Sequence, residues 1–174
     1  MQPANSEFAI FANGITDTKI LYSLIDKLER LTAELYHNTE GTITSKVKNI
    51  GPSLTAIFNY LEQKGLEPQG DSAQKAYIEQ VITYLKKLPI VKVTMAFEPD
   101  DTFSNRLNEV ITGLVGHKII LDITVNHHII AGLILEYQGK LGNYSFEPAA
   151  NDFLKTRLHT FIEDSKEEIK TTAT

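Results

Sequence analysis

The sequence predicts an α+β protein: an N-terminal helical bundle of three to four helices, followed by a small β-α-β-β-β-α domain. Three observations carry this reading. Apolar residues recur at three- and four-residue steps as far as Leu88. After Pro89 the period shortens to the alternation of half-buried strands. Gln138-Gly139 then splits the last long apolar run as a tight turn would. The implied limits are 1–88 for the helical domain and 89–165 for the α/β domain. A charged tail over 166–174 is expected to fray.

In the first half, Ile20, Leu21, Leu24, Ile25, Leu28, Leu31 and Leu35 form one helical stripe, with Thr16 or Asp17 as cap. What precedes them reads as an extended start. A second segment opens near Thr42 or Thr44 and carries Val47 and Ile50. Gly51-Pro52 interrupts it, because proline removes a donor and crowds the preceding turn. Leu54, Ile57, Phe58 and Leu61 continue the pattern to Gly65, a C-terminal stop. After a polar loop, Ser72 is the expected cap of a third helix. Its stripe is Ala76, Tyr77, Ile78, Val81, Ile82, Leu85 and Leu88, and Pro89 ends it.

In the second half, residues 90–97 read as a strand with Val91, Val93, Met95 and Phe97 on one face. Asp100 or Asp101 caps a helix whose Phe103, Leu107, Val110, Ile111 and Leu114 are expected inward, with Gly116 closing it. Residues 118–125 alternate strictly, and 130–137 pair with 140–146 as a hairpin. Pro148 suits the first turn of a last helix marked by Phe153, Leu154, Leu158, Phe161 and Ile162.

Composition narrows the function. The 174 residues are 42% hydrophobic and 22% charged, enough for a core without disulfide or metal staples. The absence of cysteine excludes thiolate metal sites, iron–sulfur ligation and a cysteine nucleophile. A net charge of −5, shared as −1 before residue 89 and −4 after it, argues against a nucleic-acid binder. No apolar run reaches the roughly 20 residues of a membrane helix. The N-terminus carries Glu7 and no basic start, unlike a secretory signal. A soluble chain is expected, free to dock on a membrane complex.

Chemistry-bearing residues are sparse. His127-His128 is the most suggestive pair, yet neighbours on an extended chain point to opposite faces and do not share an ion. His117 and His159 lack ligand-type partners at helical spacing. Asp100-Asp101 reads as a helix N-terminus and Gly132 with Gly139 lacks the pattern of a phosphate loop. Ser145 has no histidine spaced as its base. No catalytic, cofactor-binding or metal-ligating residue is expected.

The segment from Val91 to Ser145 resembles the C-terminal domain of the ATP synthase delta subunit, the oligomycin-sensitivity-conferring protein family. Val125 stands at the leading Val of that family's turn motif, and Asn126 where Asp is usual. His127 and His128 replace a Pro-Ser pair and so gain a turn-forming explanation. Ile129 and Ile130 keep the aliphatic pair, and Ala131-Gly132 answers a Gly-Gly. Glu136 replaces the usual Arg. Gln138-Gly139 occupies the Gly-Asp turn, Asn143 the second Asp position, and Ser145 the Ser. Ala131, Gly132, Gly139 and Ser145 are the structural positions of the motif. The small pair is expected to let the backbone pack closely under a neighbouring helix.

The resemblance implies a non-catalytic subunit of the peripheral stalk of a rotary F-type ATP synthase, without cofactor. Its implied partners are the N-terminus of the head's alpha subunit and the C-terminal helices of the b subunits. Its implied place is the cytoplasmic face of the cell membrane, reached only through the complex. Binding would be helix-in-groove. Leu24, Leu28, Leu31 and Leu35 are one candidate wall, though such a stripe also serves as internal core. Phe153, Leu158 and Phe161 are candidates for the b-subunit contact. The family's six-helix N-terminal bundle is larger than the three or four helices expected here. A stand-alone helix-binding adaptor and a small histidine-dependent enzyme are the alternatives.

Overall fold

A computed structural model describes residues 8–37, 41–146, 149 and 151–155. The predicted class holds: helices come first, then a small sheet domain. The chain divides into two compact units. One comprises residues up to Ile90 together with Asp100–Asp122; the other comprises Val91–Pro99 and the chain from Ile123 onward.

In the first unit, α1 (Ala9–Ala12) and α2 (Thr18–His37) lead into α3 (Ile43–Val47), α4 (Pro52–Gln63) and α5 (Asp71–Lys86). The extended start is corrected by α1. Phe11 enters the core edge-on to Phe58, ring centres 5.6 Å apart, and Phe8 meets Tyr77 at 5.4 Å. Four helical residues are too few for a period to show, so tertiary packing makes this turn. Asp17 caps α2, its Oδ1 accepting from the Ile20 amide at 2.9 Å. Thr42 caps α3 by accepting from the Ser45 amide, and Pro52 opens α4 at its first turn. Ser72 is not a cap: Gly70 stands at the start of α5 without a side-chain bond, and Asp71 pairs with Lys75 at 2.8 Å instead.

The core of this unit joins the inner faces of α2, α4 and α5 with α1, α3 and Ile120. The helix α6 (Asp101–Val115) also belongs to it, capped by Asp100 Oδ1 on the Phe103 amide at 2.7 Å and ended by Gly116 in the left-handed region.

Among the described residues the sheet has the order β2-β1-β3-β4, with β1 Ile90–Met95, β2 Ile120–Val125, β3 Gly132–Tyr137 and β4 Lys140–Ser145. β1 and β3 are antiparallel, as are β3 and β4. The amides of Ile120 and Asn126 donate to the carbonyls of Pro89 and Met95, so β2 runs in the direction of β1. Gln138 (φ 50°) and Gly139 (φ 74°) make the two-residue hairpin turn with both φ positive, the form that matches strand twist. Residues 151–155 are helical and exposed, and the rest of the expected last helix lies outside the described residues.

Candidate partner-binding site

The residues expected to meet partners fall into three places. Leu28, Leu31 and Leu35 have no exposed surface and are core, while Leu24 is half-buried against it. A partner would reach them only by opening the helical unit. Phe153 is 60% exposed. Leu158 and Phe161 lie outside the described residues.

Exposed apolar side chains lie elsewhere, among them Phe103, Val110 and Leu114 of α6. Its inward stripe was expected to be Phe103, Leu107, Val110, Ile111 and Leu114. Only Ile111 is buried; Val110 is 53% and Leu114 83% exposed. The buried side is carried instead by Ser104 and Asn108. Asn108 explains the inversion. Its Nδ2 donates to the carbonyls of Thr16 and Ile119, both at 3.0 Å, and its Oδ1 accepts from Lys118 Nζ at 3.3 Å and Thr112 Oγ1 at 3.5 Å. One amide thus ties α6 to the α1–α2 connection and to the entry of β2. The Lys118 ammonium is held below its ordinary pKa by burial.

The turn motif has a backbone logic. Asn126 Oδ1 accepts from the His128 amide at 3.0 Å, and the Ile129 amide returns to the Asn126 carbonyl at 3.1 Å. His127 and His128 are exposed turn residues. Among the described residues no three His, Asp or Glu side chains gather as a metal site. Gly132 (φ 89°) approaches β4 rather than a helix: a Cβ there would collide with the Tyr144 carbonyl and stand 2.9 Å from Ser145 Cα. That corrects the expected packing, since Ala131 is exposed and only Gly132 is tight. Asn143 Oδ1 accepts from the Ser145 amide at 2.9 Å.

Sequence reasoning missed a buried polar knot in the helical unit. Glu67 Oε1 accepts from the Thr44 amide at 3.0 Å and from its hydroxyl at 3.3 Å, and Gln74 Nε2 donates to the Gly41 carbonyl. Lys46 is buried too, its Nζ without a hydrogen-bond partner among the described residues.

No known protein-family profile matches the chain. No curated protein matches it either. Among solved structures, it is similar to a chain of the cryo-EM structure of the Polytomella F-ATP synthase in primary rotary state 3. The identity is 15%, the match covers 44% of this chain and 99% of that one, and the TM-score is 0.36. A score of that size assigns neither a fold family nor a role. No helix among the described residues is long and apolar enough to cross a membrane.

Proposed function

We propose that this chain is a non-catalytic stator subunit of a rotary F-type ATP synthase, bridging the catalytic head and the membrane-anchored b subunits. The observation that carries the reading is the layout of residues 125–145. Three parts of the motif support it: an Asn-initiated turn at 126–129, a glycine without room for a side chain at 132, and a two-residue hairpin turn at 138–139. The stalk must resist torque, and a joint of that kind works through packed apolar surface and slow dissociation. The outward stripe of α6 offers such surface to a partner helix.

The test is capture of the catalytic head and of the b subunits by the full chain, alone and with Val110→Asp and Leu114→Asp together. Saturable binding of both partners is expected, with one of the two lost in the double variant. Failure of the unaltered chain to hold either partner refutes the reading.

A further inference from the structure

Asn13 and Gly14 stand in the turn that ends α1, and both are exposed. Asn13 is the one asparagine of the chain that a glycine follows. Its main-chain amide donates to the Ala9 carbonyl at 3.1 Å, which fixes where the turn leaves the helix. Beyond that point the groups are unrestrained. Among the described residues, neither the Asn13 side chain nor the Gly14 amide makes a hydrogen bond. Gly14 has φ 80°, and the space where a Cβ would stand is open. Other asparagines are held. Asn108, Asn126 and Asn143 have hydrogen-bonded side chains, and Asn59 and Asn105 lie inside α4 and α6, where helical ψ is fixed.

We propose that Asn13-Gly14 is a site of spontaneous intramolecular deamidation. The Gly14 nitrogen attacks Asn13 Cγ. The N–Cγ bond forms, the Cγ–Nδ2 bond breaks, and Nδ2 leaves as ammonia with the proton of the Gly14 amide. The product is a five-membered cyclic imide. Water then opens the ring at either of its two carbonyls. Attack at Cγ gives an aspartyl residue. Attack at the main-chain carbonyl gives an isoaspartyl residue, whose chain runs through Cβ and Cγ. The sum is amide plus water to acid plus ammonia, with no redox change. Asn13 ψ is 130°, so closure requires rotation about that bond. An exposed linkage followed by glycine has the freedom to make it.

The two products differ in consequence. Ala12 and Ile15 are both buried. The next carbonyl, that of Thr16, receives the Leu121 amide at 2.9 Å and Asn108 Nδ2 at 3.0 Å. Residues 13 and 14 are thus the free span between two anchors. An isoaspartyl link inserts a main-chain carbon, about 1.5 Å of extra path, and must displace Ala12 or Ile15. An aspartyl residue adds a solvated charge and leaves the path unchanged. The reaction needs no partner, so it stands independently of the stator reading.

The test incubates the purified, folded full chain in mildly alkaline buffer. Ammonia release gives the rate, and peptide mass mapping locates each converted asparagine. Residue 13 is expected to convert at least about tenfold faster than any other asparagine. Asn13→Gln, whose ring would have six members, and Gly14→Ala should each slow ammonia release at least about tenfold. Conversion at residue 13 no faster than at Asn126 or Asn143, or unchanged ammonia release from Asn13→Gln, would overturn the assignment. The separated isoaspartyl form is expected to unfold at a lower urea concentration than the aspartyl form. Equal midpoints would overturn the displacement of Ala12 or Ile15.

Discussion

Replacing Gly132 by alanine tests the turn motif most directly. The backbone there has φ 89°, a left-handed conformation that costs an L-residue about 1–2 kcal/mol. The new methyl also meets backbone, the Tyr144 carbonyl and Ser145 Cα, so β4 itself must shift. Overpacking of that kind costs about 1–3 kcal/mol. Together Gly132→Ala should destabilise the hairpin by about 2–5 kcal/mol. Gly139→Ala is the matched control: φ is 74°, but nothing lies within 4 Å of its Cβ, so only the conformational cost applies. Amide hydrogen exchange over β3 and β4 reads the local opening equilibrium, where 2 kcal/mol is about a 30-fold loss of protection. Gly132→Ala should lose protection at least about fivefold beyond Gly139→Ala. Equal losses would falsify the close approach, because both glycines would then be needed for backbone freedom alone.

Asn108→Ala removes all four hydrogen bonds of that amide and takes the side-chain donor from the Ile119 carbonyl, while the Thr16 carbonyl keeps the Leu121 amide, so urea unfolding should show a loss of about 1–3 kcal/mol. Leu31→Ala should cost about 2–5 kcal/mol as a core cavity, whereas Leu114→Asp should leave the urea midpoint nearly unchanged. Glu67→Ala leaves the buried Thr44 amide without its acceptor and should cost about 1–3 kcal/mol. Burial raises the Tyr84 pKa, so the unfolded phenol, near 10, ionises first. Its stabilisation is complete below that value and is lost as pH rises through the folded pKa. The depressed Lys118 pushes the other way up to about pH 10.4, so the parent chain shows both slopes and Tyr84→Phe should lose only the alkaline fall in melting temperature.

Much of the fold was legible because its signals are local. The caps at Asp17, Thr42 and Asp100, the stop at Gly116 and the turn at Gln138-Gly139 each act within four residues of themselves. What escaped depends on partners far along the chain. Asn108 reaches the carbonyl of Thr16, 92 positions away, and Thr44 is met by Glu67, 23 positions on. A period of 3.6 shows that α6 is two-sided; it does not show which side faces the protein. The partner-site residues of α2 illustrate the converse. Leu28, Leu31 and Leu35 form so regular a stripe because they are core, and a regular stripe carries no mark of an external partner.

The hydrogen bonds of Asn108 also hold the outward stripe of α6 where it is. The exposed stripe of α6 lies roughly 100–160° around the helix from Asn108 at 100° per residue. Turning it inward would withdraw Asn108 from both carbonyls: the Ile119 acceptor left without that donor costs about 1–3 kcal/mol, and each other lost bond of the amide about 1 kcal/mol, with Thr16 keeping the Leu121 amide. Burying Val110 and Leu114 gains about 1.5–3 kcal/mol per side chain when complete, and both are now more than half exposed. Rotation therefore returns little, because its gain is offset by the polar loss. A second helix laid over the stripe takes the same apolar gain and leaves all four Asn108 bonds in place, which favours association over rearrangement.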